Sequence, residues 1–160
     1  MSAESFLSDR RTFLAAGGVG AAMLLNGFPE ASAAKGDKYS GAEAANLEVV
    51  NDFCASWASL DADKIGGFLA DKATFRMIEN TPRMEGRDTI IDRIRGFTAT
   101  AKSAKFEVLR EHAMGSIVIN ERIDHFDMGD TKNAFHIVGI FFVRDGKIQE
   151  WQDYTMPTKD

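Results

Sequence analysis

The stretch AFHIVGIFFVRDGKIQEWQDYTM, residues 134–156, decides the fold. Phe135, Ile137, Gly139, Phe141 and Val143 fall at every second position and so share one face of a strand. Arg144-Asp145-Gly146 follows, and an Asp-Gly pair between two runs of β-formers is a strong hairpin signal. The stretch therefore predicts two antiparallel strands, Ala134–Val143 and Lys147–Met156. Working back along the chain, Ser116–Phe126 and Ala104–Glu111 also read as strands, with Gly129-Asp130 as a turn. Before them the period changes. From Ala42 to Leu60, the residues Leu47, Val50, Phe53, Cys54, Trp57 and Leu60 recur three and four apart, which predicts a helix with one apolar stripe. Asp61 is placed to cap a short second helix carrying Ile65, Phe68 and Leu69, weakened by Gly66-Gly67. Ala73–Ile78 reads as a strand and Glu79–Glu85, with Pro82, as a turn or edge segment. Gly86-Arg87-Asp88 opens a third helix whose inner face carries Ile90, Ile91, Ile94 and Phe97. Helices first and antiparallel strands afterwards predict an α+β fold, in which a curved sheet and its helices enclose an apolar pocket.

The N-terminal segment reads differently. Arg10-Arg11 precede Phe13-Leu14 at the spacing of a twin-arginine export signal. A weakly apolar run to Leu25 follows, and Ala31-Ser32-Ala33 ends the segment as a small-residue cleavage pattern. The run is shorter than the roughly 20 residues of a membrane span. The predicted organisation is a cleaved signal over 1–33, a flexible leader over 34–41 and one domain over 42–160, in the periplasm and off the membrane after cleavage. The chain carries a net charge of −5. Loss of residues 1–33 takes away Glu4, Asp9, Arg10, Arg11 and Glu30 and leaves about −4. A mildly acidic domain without a basic run gives no reason to expect nucleic acid as a partner. Cys54, the one cysteine, admits no intrachain disulfide and reads as a small buried hydrophobe on the first helix. His112, His125 and His136 are scattered over separate strands without the spacing of a metal site.

Two short pieces carry the chemistry. In Asn120-Glu121-Arg122-Ile123-Asp124, strand alternation puts Asn120, Arg122 and Asp124 on one face and Ile123 on the other. In Glu150-Trp151-Gln152-Asp153-Tyr154, Trp151 and Asp153 share a face. Were both faces to line one cavity, two carboxylates and a guanidinium would converge on an apolar pocket, an arrangement suited to acid/base work on an uncharged substrate. Its bland alternative is a buried structural ion-pair network. Asn120 is placed to orient Arg122, and Trp151 serves equally as core and as pocket wall. Phe75, Met77, Gly139 and Phe141 are further candidates for contact with an apolar or aromatic small molecule.

The order of elements, with Gly86-Arg87-Asp88, Glu121-Arg122-Ile123-Asp124, Gly139-Ile140-Phe141, Asp145-Gly146-Lys147-Ile148 and Trp151-Gln152-Asp153-Tyr154, resembles the limonene-1,2-epoxide hydrolase branch of the SnoaL-like, nuclear transport factor 2-like superfamily. The resemblance implies a conical fold and a homodimer joined through the outer sheet face, where Val138, Ile140 and Phe142 alternate. It also implies one-step opening of an epoxide without metal, cofactor or covalent intermediate: Asp153 as general base on a water, Asp124 as general acid on the epoxide oxygen, Arg122 between them. The family holds that water with a tyrosine and an asparagine two residues apart on the first strand, and this chain has Phe75 and Met77 there. A phenyl ring and a thioether do not replace a phenol and an amide. Epoxide hydrolysis is thus one expectation. A lyase, isomerase or dehydratase that needs no held water is a second, and a non-catalytic binder of an apolar metabolite a third.

Overall fold

The computed structural model describes residues 38–157. The signal read over residues 1–33 lies outside them, as does the leader up to residue 37. The first helix, α1 (Gly41–Ser56), starts on a reciprocal cap: Ser40 Oγ accepts from the Glu43 backbone N–H at 3.3 Å, and Glu43 Oε2 accepts from that of Ser40 at 2.9 Å. Its stripe of Leu47, Val50, Phe53 and Cys54 is buried. The helix is shorter than its periodicity predicts. A 3₁₀ turn over Trp57–Ser59 follows, and Leu60 closes it in the left-handed region at φ 54°.

The second helix, α2 (Ala62–Gly66), is capped by Asp61, which accepts from the N–H groups of Asp63 and Lys64. It stops before Phe68 and Leu69, contrary to the sequence reading, and Leu69 instead starts strand β1 (Leu69–Arg76). Gly66 carries the reason. A side chain there would collide with Ile91 on the third helix, α3 (Arg87–Thr98), so the glycine lets the two helices touch at the point where α2 ends. Between β1 and α3 lies the short edge strand β2 (Met84–Glu85).

Four long strands complete the chain: β3 (Ser103–Met114), β4 (Ile117–Asp127), β5 (Lys132–Arg144) and β6 (Lys147–Thr155). The β5–β6 turn has positive φ at both Asp145 (52°) and Gly146 (69°), the primed geometry an Asp-Gly pair favours. The strands form one curved sheet in the order β2-β1-β6-β5-β4-β3, antiparallel throughout except for β1 beside β6. Helices followed by a curved, mostly antiparallel sheet match the predicted α+β class. The helices cover the inner face, where Phe53 packs edge-on against Trp57, Phe141 and Trp151. An irregularity in the β5–β6 register near Phe142 and Val143 breaks the alternation on β6. Ile148 and Trp151, three apart, both point inward as a result, and Asp153 follows Trp151.

Candidate active site

Alternation along β4 buries Val118, Asn120, Arg122 and Asp124 on the inner face. Across β5, Asn120 is in register with Gly139, and Gly139 with Asp153 on β6. Gly139 therefore sits between the two chemistry-bearing strands. A Cβ there would collide with Arg122 Nη1 and stand 2.8 Å from Asn120 Oδ1. The missing side chain makes the gap through which Arg122 reaches over β5 to Asp153.

Arg122 is wholly buried, and four of its N–H donors go to three partners. Nε and Nη2 donate to the two oxygens of Asp124 at 2.8 and 3.1 Å. Nη2 also donates to Asp153 Oδ2 at 2.8 Å, and Nη1 to Asn120 Oδ1 at 3.0 Å. The other oxygen of Asp153 accepts from Trp151 Nε1 at 2.8 Å. Asn120 in turn donates to Cys54 Sγ at 3.4 Å, which ties the group to α1. Phe106 lies against the guanidinium, 4.8 Å from ring centre to Cζ.

Burial sets the electrostatics. It pushes the Asp153 carboxyl up to about 6 against the opposing pull of Arg122. Asp124 is also raised by burial, with Arg122 again opposing. For Arg122 itself burial disfavours the charge, but the two carboxylates outweigh it and hold the group above its ordinary value. Burial drives the Cys54 thiol up to about 12, so it is no nucleophile at neutral pH. Both carboxylates share one guanidinium and titrate as a unit.

Asp124 and Asp153 face a cavity of about 440 Å³. Of the residues predicted to meet a substrate, Phe75, Met77 and Trp151 line it, with Phe75 stacked on Trp151 at 3.6 Å between ring centres. Three others do not. Asn120 is buried behind the wall as a partner of Arg122, Gly139 makes room for Arg122 rather than for a ligand, and Phe141 is fully buried beneath Trp151. Arg122 also stands behind the wall and reaches the cavity only through the carboxylates.

The sequence reading missed much of the lining: Trp57, Phe106 and Phe126, with Arg93, Asn133 and Thr155 as the added polar members. Register holds the signal for two of them, since Phe106 pairs with Asp124 and Ala104 with Phe126 on the same inner face. Helical spacing holds it for Arg93, which lies three residues from Ile90 and four from Phe97. Among the described residues, no three His, Cys, Asp or Glu side chains are grouped so as to hold a metal ion.

Solved structures share this architecture. An LEH-like epoxide hydrolase from M. tuberculosis aligns with a TM-score of 0.66 and 24% identity, covering 71% of this chain and 84% of that one. A protein of ketosteroid isomerase-like fold from Catenulispora acidiphila DSM 44928, in complex with trimethylamine, aligns with 0.61 and 20% over 67% and 84%. A protein from Jannaschia sp. CCS1 described as a SnoaL-like polyketide cyclase aligns with 0.64 and 14% over 75% and 91%. At these identities the likeness is one of fold. The sequence goes further, because residues 44–156 match the limonene-1,2-epoxide hydrolase catalytic domain, and together they support an enzyme that converts a small molecule. Matched over more than half its length, from α1 to the end of β6, the chain belongs to the limonene-1,2-epoxide hydrolase catalytic-domain family.

Proposed function

We propose that the protein opens an apolar epoxide by concerted acid/base catalysis, and one observation carries the reading. A single buried guanidinium, 2.8 Å from each of two carboxylates, ties both to the wall of the same apolar cavity. In the reactive form Asp153 is ionised and Asp124 holds the one shared proton. A water gives a proton to Asp153 as its oxygen attacks an epoxide carbon, the carbon–oxygen bond breaks, and the epoxide oxygen takes the proton of Asp124. A diol leaves, and solvent returns the proton from Asp153 to Asp124. The raised value of Asp153 makes it a stronger base than an ordinary carboxylate. The pair stays at one negative charge through the step, because Asp153 gains a proton as Asp124 loses one, and Arg122 is bonded to both carboxyls.

A second reading has its own observation. Phe75 and Met77 line the cavity and offer no donor to a water. Asp153 would then take a proton directly from carbon or a hydroxyl of the substrate, in a lyase, isomerase or dehydratase reaction. Incubation with aryl and alkyl epoxides in oxygen-18 water separates the two. Labelled diol that is lost in Asp153→Asn supports hydrolysis, whereas no diol from folded protein excludes it and favours direct proton transfer.

Two further properties belong to this reading. Residues 1–33 direct twin-arginine export, so Arg10→Lys with Arg11→Lys should keep the protein out of a periplasmic fraction. The outer sheet face, where Ile119 and Phe142 are exposed beside Val138 and Ile140, joins two copies. Phe142→Glu should then lower the mass measured in solution from dimer to monomer.

A further inference from the structure

Arg93 breaks the pattern of its helix. Ile90, Ile94 and Phe97 share the inward face of α3, and Arg93 stands among them at helical spacing, lining the cavity yet exposed to solvent. Its helix neighbours are neutralised: Arg87 pairs with Asp71 at 2.6 Å, and Arg95 with Asp92 at 2.6 Å and Asp63 at 2.8 Å. Arg93 has no such partner among the described residues, and its adjacent carboxylate, Asp92, is the one Arg95 takes. Apart from Asp124 and Asp153, every other lining side chain is uncharged.

Asn133, also exposed, lines the cavity as well, and with Phe126 it also lines a second groove of about 250 Å³ that carries Lys105, His125 and Lys132 with Asp127. The cavity thus has a buried acidic place at Asp124 and Asp153, apolar walls, and a solvent-side rim with an unneutralised guanidinium and an amide. A guanidinium fork matches a carboxylate, which gains little from the walls and is repelled by the aspartate pair. A molecule satisfying all three parts is an apolar body with one anionic end.

Building on the acid/base reading of the same cavity, we propose that the substrate is an amphipathic carboxylic acid, its reacting group at Asp124 and Asp153 and its carboxylate held at the rim by Arg93. The rim is wet, so the gain is that of a partly screened pair, about fivefold in affinity.

Isothermal titration of the full chain with 4-phenylbutyrate and 4-phenylbutanamide at pH 7.5 tests this. The expected result is tighter binding of the carboxylate by about fivefold, a preference that shrinks in high salt and vanishes in Arg93→Gln while amide affinity is unchanged. Asp153→Asn should keep the preference, which separates the rim from the chemistry. Equal affinities in the parent protein, a preference that survives Arg93→Gln, or no binding of either probe would overturn the proposal. Loss of turnover in Asp153→Asn on an epoxide or hydroxylated substrate tests the acid/base reading independently, so either idea can fail alone.

Discussion

Glu121 and Arg122 are neighbours on β4, yet each belongs to a different carboxylate–cation group. Glu121 points to the outer face, where it pairs with Arg110 and lies 2.7 Å from His136 Nε2. Arg122 points inward to Asp124 and Asp153. Residue types are similar, but the carboxyl groups move in opposite directions. Hydrogen bonds from Arg110 and His136 lower Glu121, whereas burial raises Asp124 and Asp153 despite their arginine. The difference lies in water. The Arg110 side chain is 79% exposed and that of Arg122 is not exposed at all, so solvation already serves the outer charges while the inner ones have lost it. Contact with an arginine thus keeps a carboxylate acidic only where desolvation does not win. A β-strand makes this contrast available between adjacent residues.

The largest expected effect breaks the inner group outright. Arg122→Leu strands two buried carboxylates without a counter-charge and should cost about 3–5 kcal/mol in urea unfolding, while Arg110→Leu should leave the midpoint nearly unmoved. Next comes Asp153→Asn, which should reduce turnover by at least about a hundredfold and remove the pH dependence this carboxyl gives the fold. The native carboxyl titrates at about 6, above the value near 4 of an unfolded aspartate. Between those values the native state keeps a proton the unfolded chain has released, so this contribution to stability falls as pH rises through the window and is flat above it. The variant should gain on the parent protein across the same window, while at every pH one of two buried donors, Arg122 Nη2 or Trp151 Nε1, faces the amide nitrogen and loses its acceptor. Urea unfolding of both proteins from pH 4 to 8 reads the difference, and a parallel pair of curves would show that Asp153 is not raised.

The sheet and the Asp124–Arg122–Asp153 group were legible because their signals are local. Alternation fixed which of Glu121 and Arg122 turned inward, and Asp145-Gly146 fixed the hairpin that brings β5 beside β6. The inward turn of both Ile148 and Trp151 was not legible as a bulge, since a register shift is a property of two strands. The end of α2 was hidden for a similar reason: Gly66 is required by Ile91 on another helix, and the spacing of Ile65, Phe68 and Leu69 alone extended the helix to Leu69. Gly139 shows the same limit inside the site. Its sequence allows either a ligand or a side chain above it, and only the pairing of Asn120, Gly139 and Asp153 across three strands assigns the space to Arg122. Arg93 was overlooked because an arginine beside Ile94 reads as the solvent edge of a helix until the cavity is seen.

Gly139→Ala sharpens the comparison from within, and its effect should be smaller. The added methyl meets Arg122 Nη1 and Asn120 Oδ1, neither of which has free space to retreat into. The expected cost is about 1–2 kcal/mol of overpacking, with a fall in turnover out of proportion to the loss of stability, because the contact shifts the guanidinium that spans to Asp153. Val138→Ala, one residue away on the outer face, should not touch turnover. The smallest effect is reserved for the outer ion pair itself. Glu121→Gln removes a carboxylate whose charged partner Arg110 remains well solvated, so its melting temperature should hardly change at neutral pH. The variant nonetheless discriminates, because a lowered carboxyl stabilises only above its titration and that benefit is lost as pH falls through it. Glu121→Gln should therefore narrow its deficit as pH falls below the ordinary glutamate value, whereas Asp153→Asn loses ground on the parent protein at higher pH, between about 6 and about 4. Opposite trends from two carboxylates on the two faces of one sheet, read in a single pair of pH series, would separate desolvation from ion pairing more directly than either variant alone.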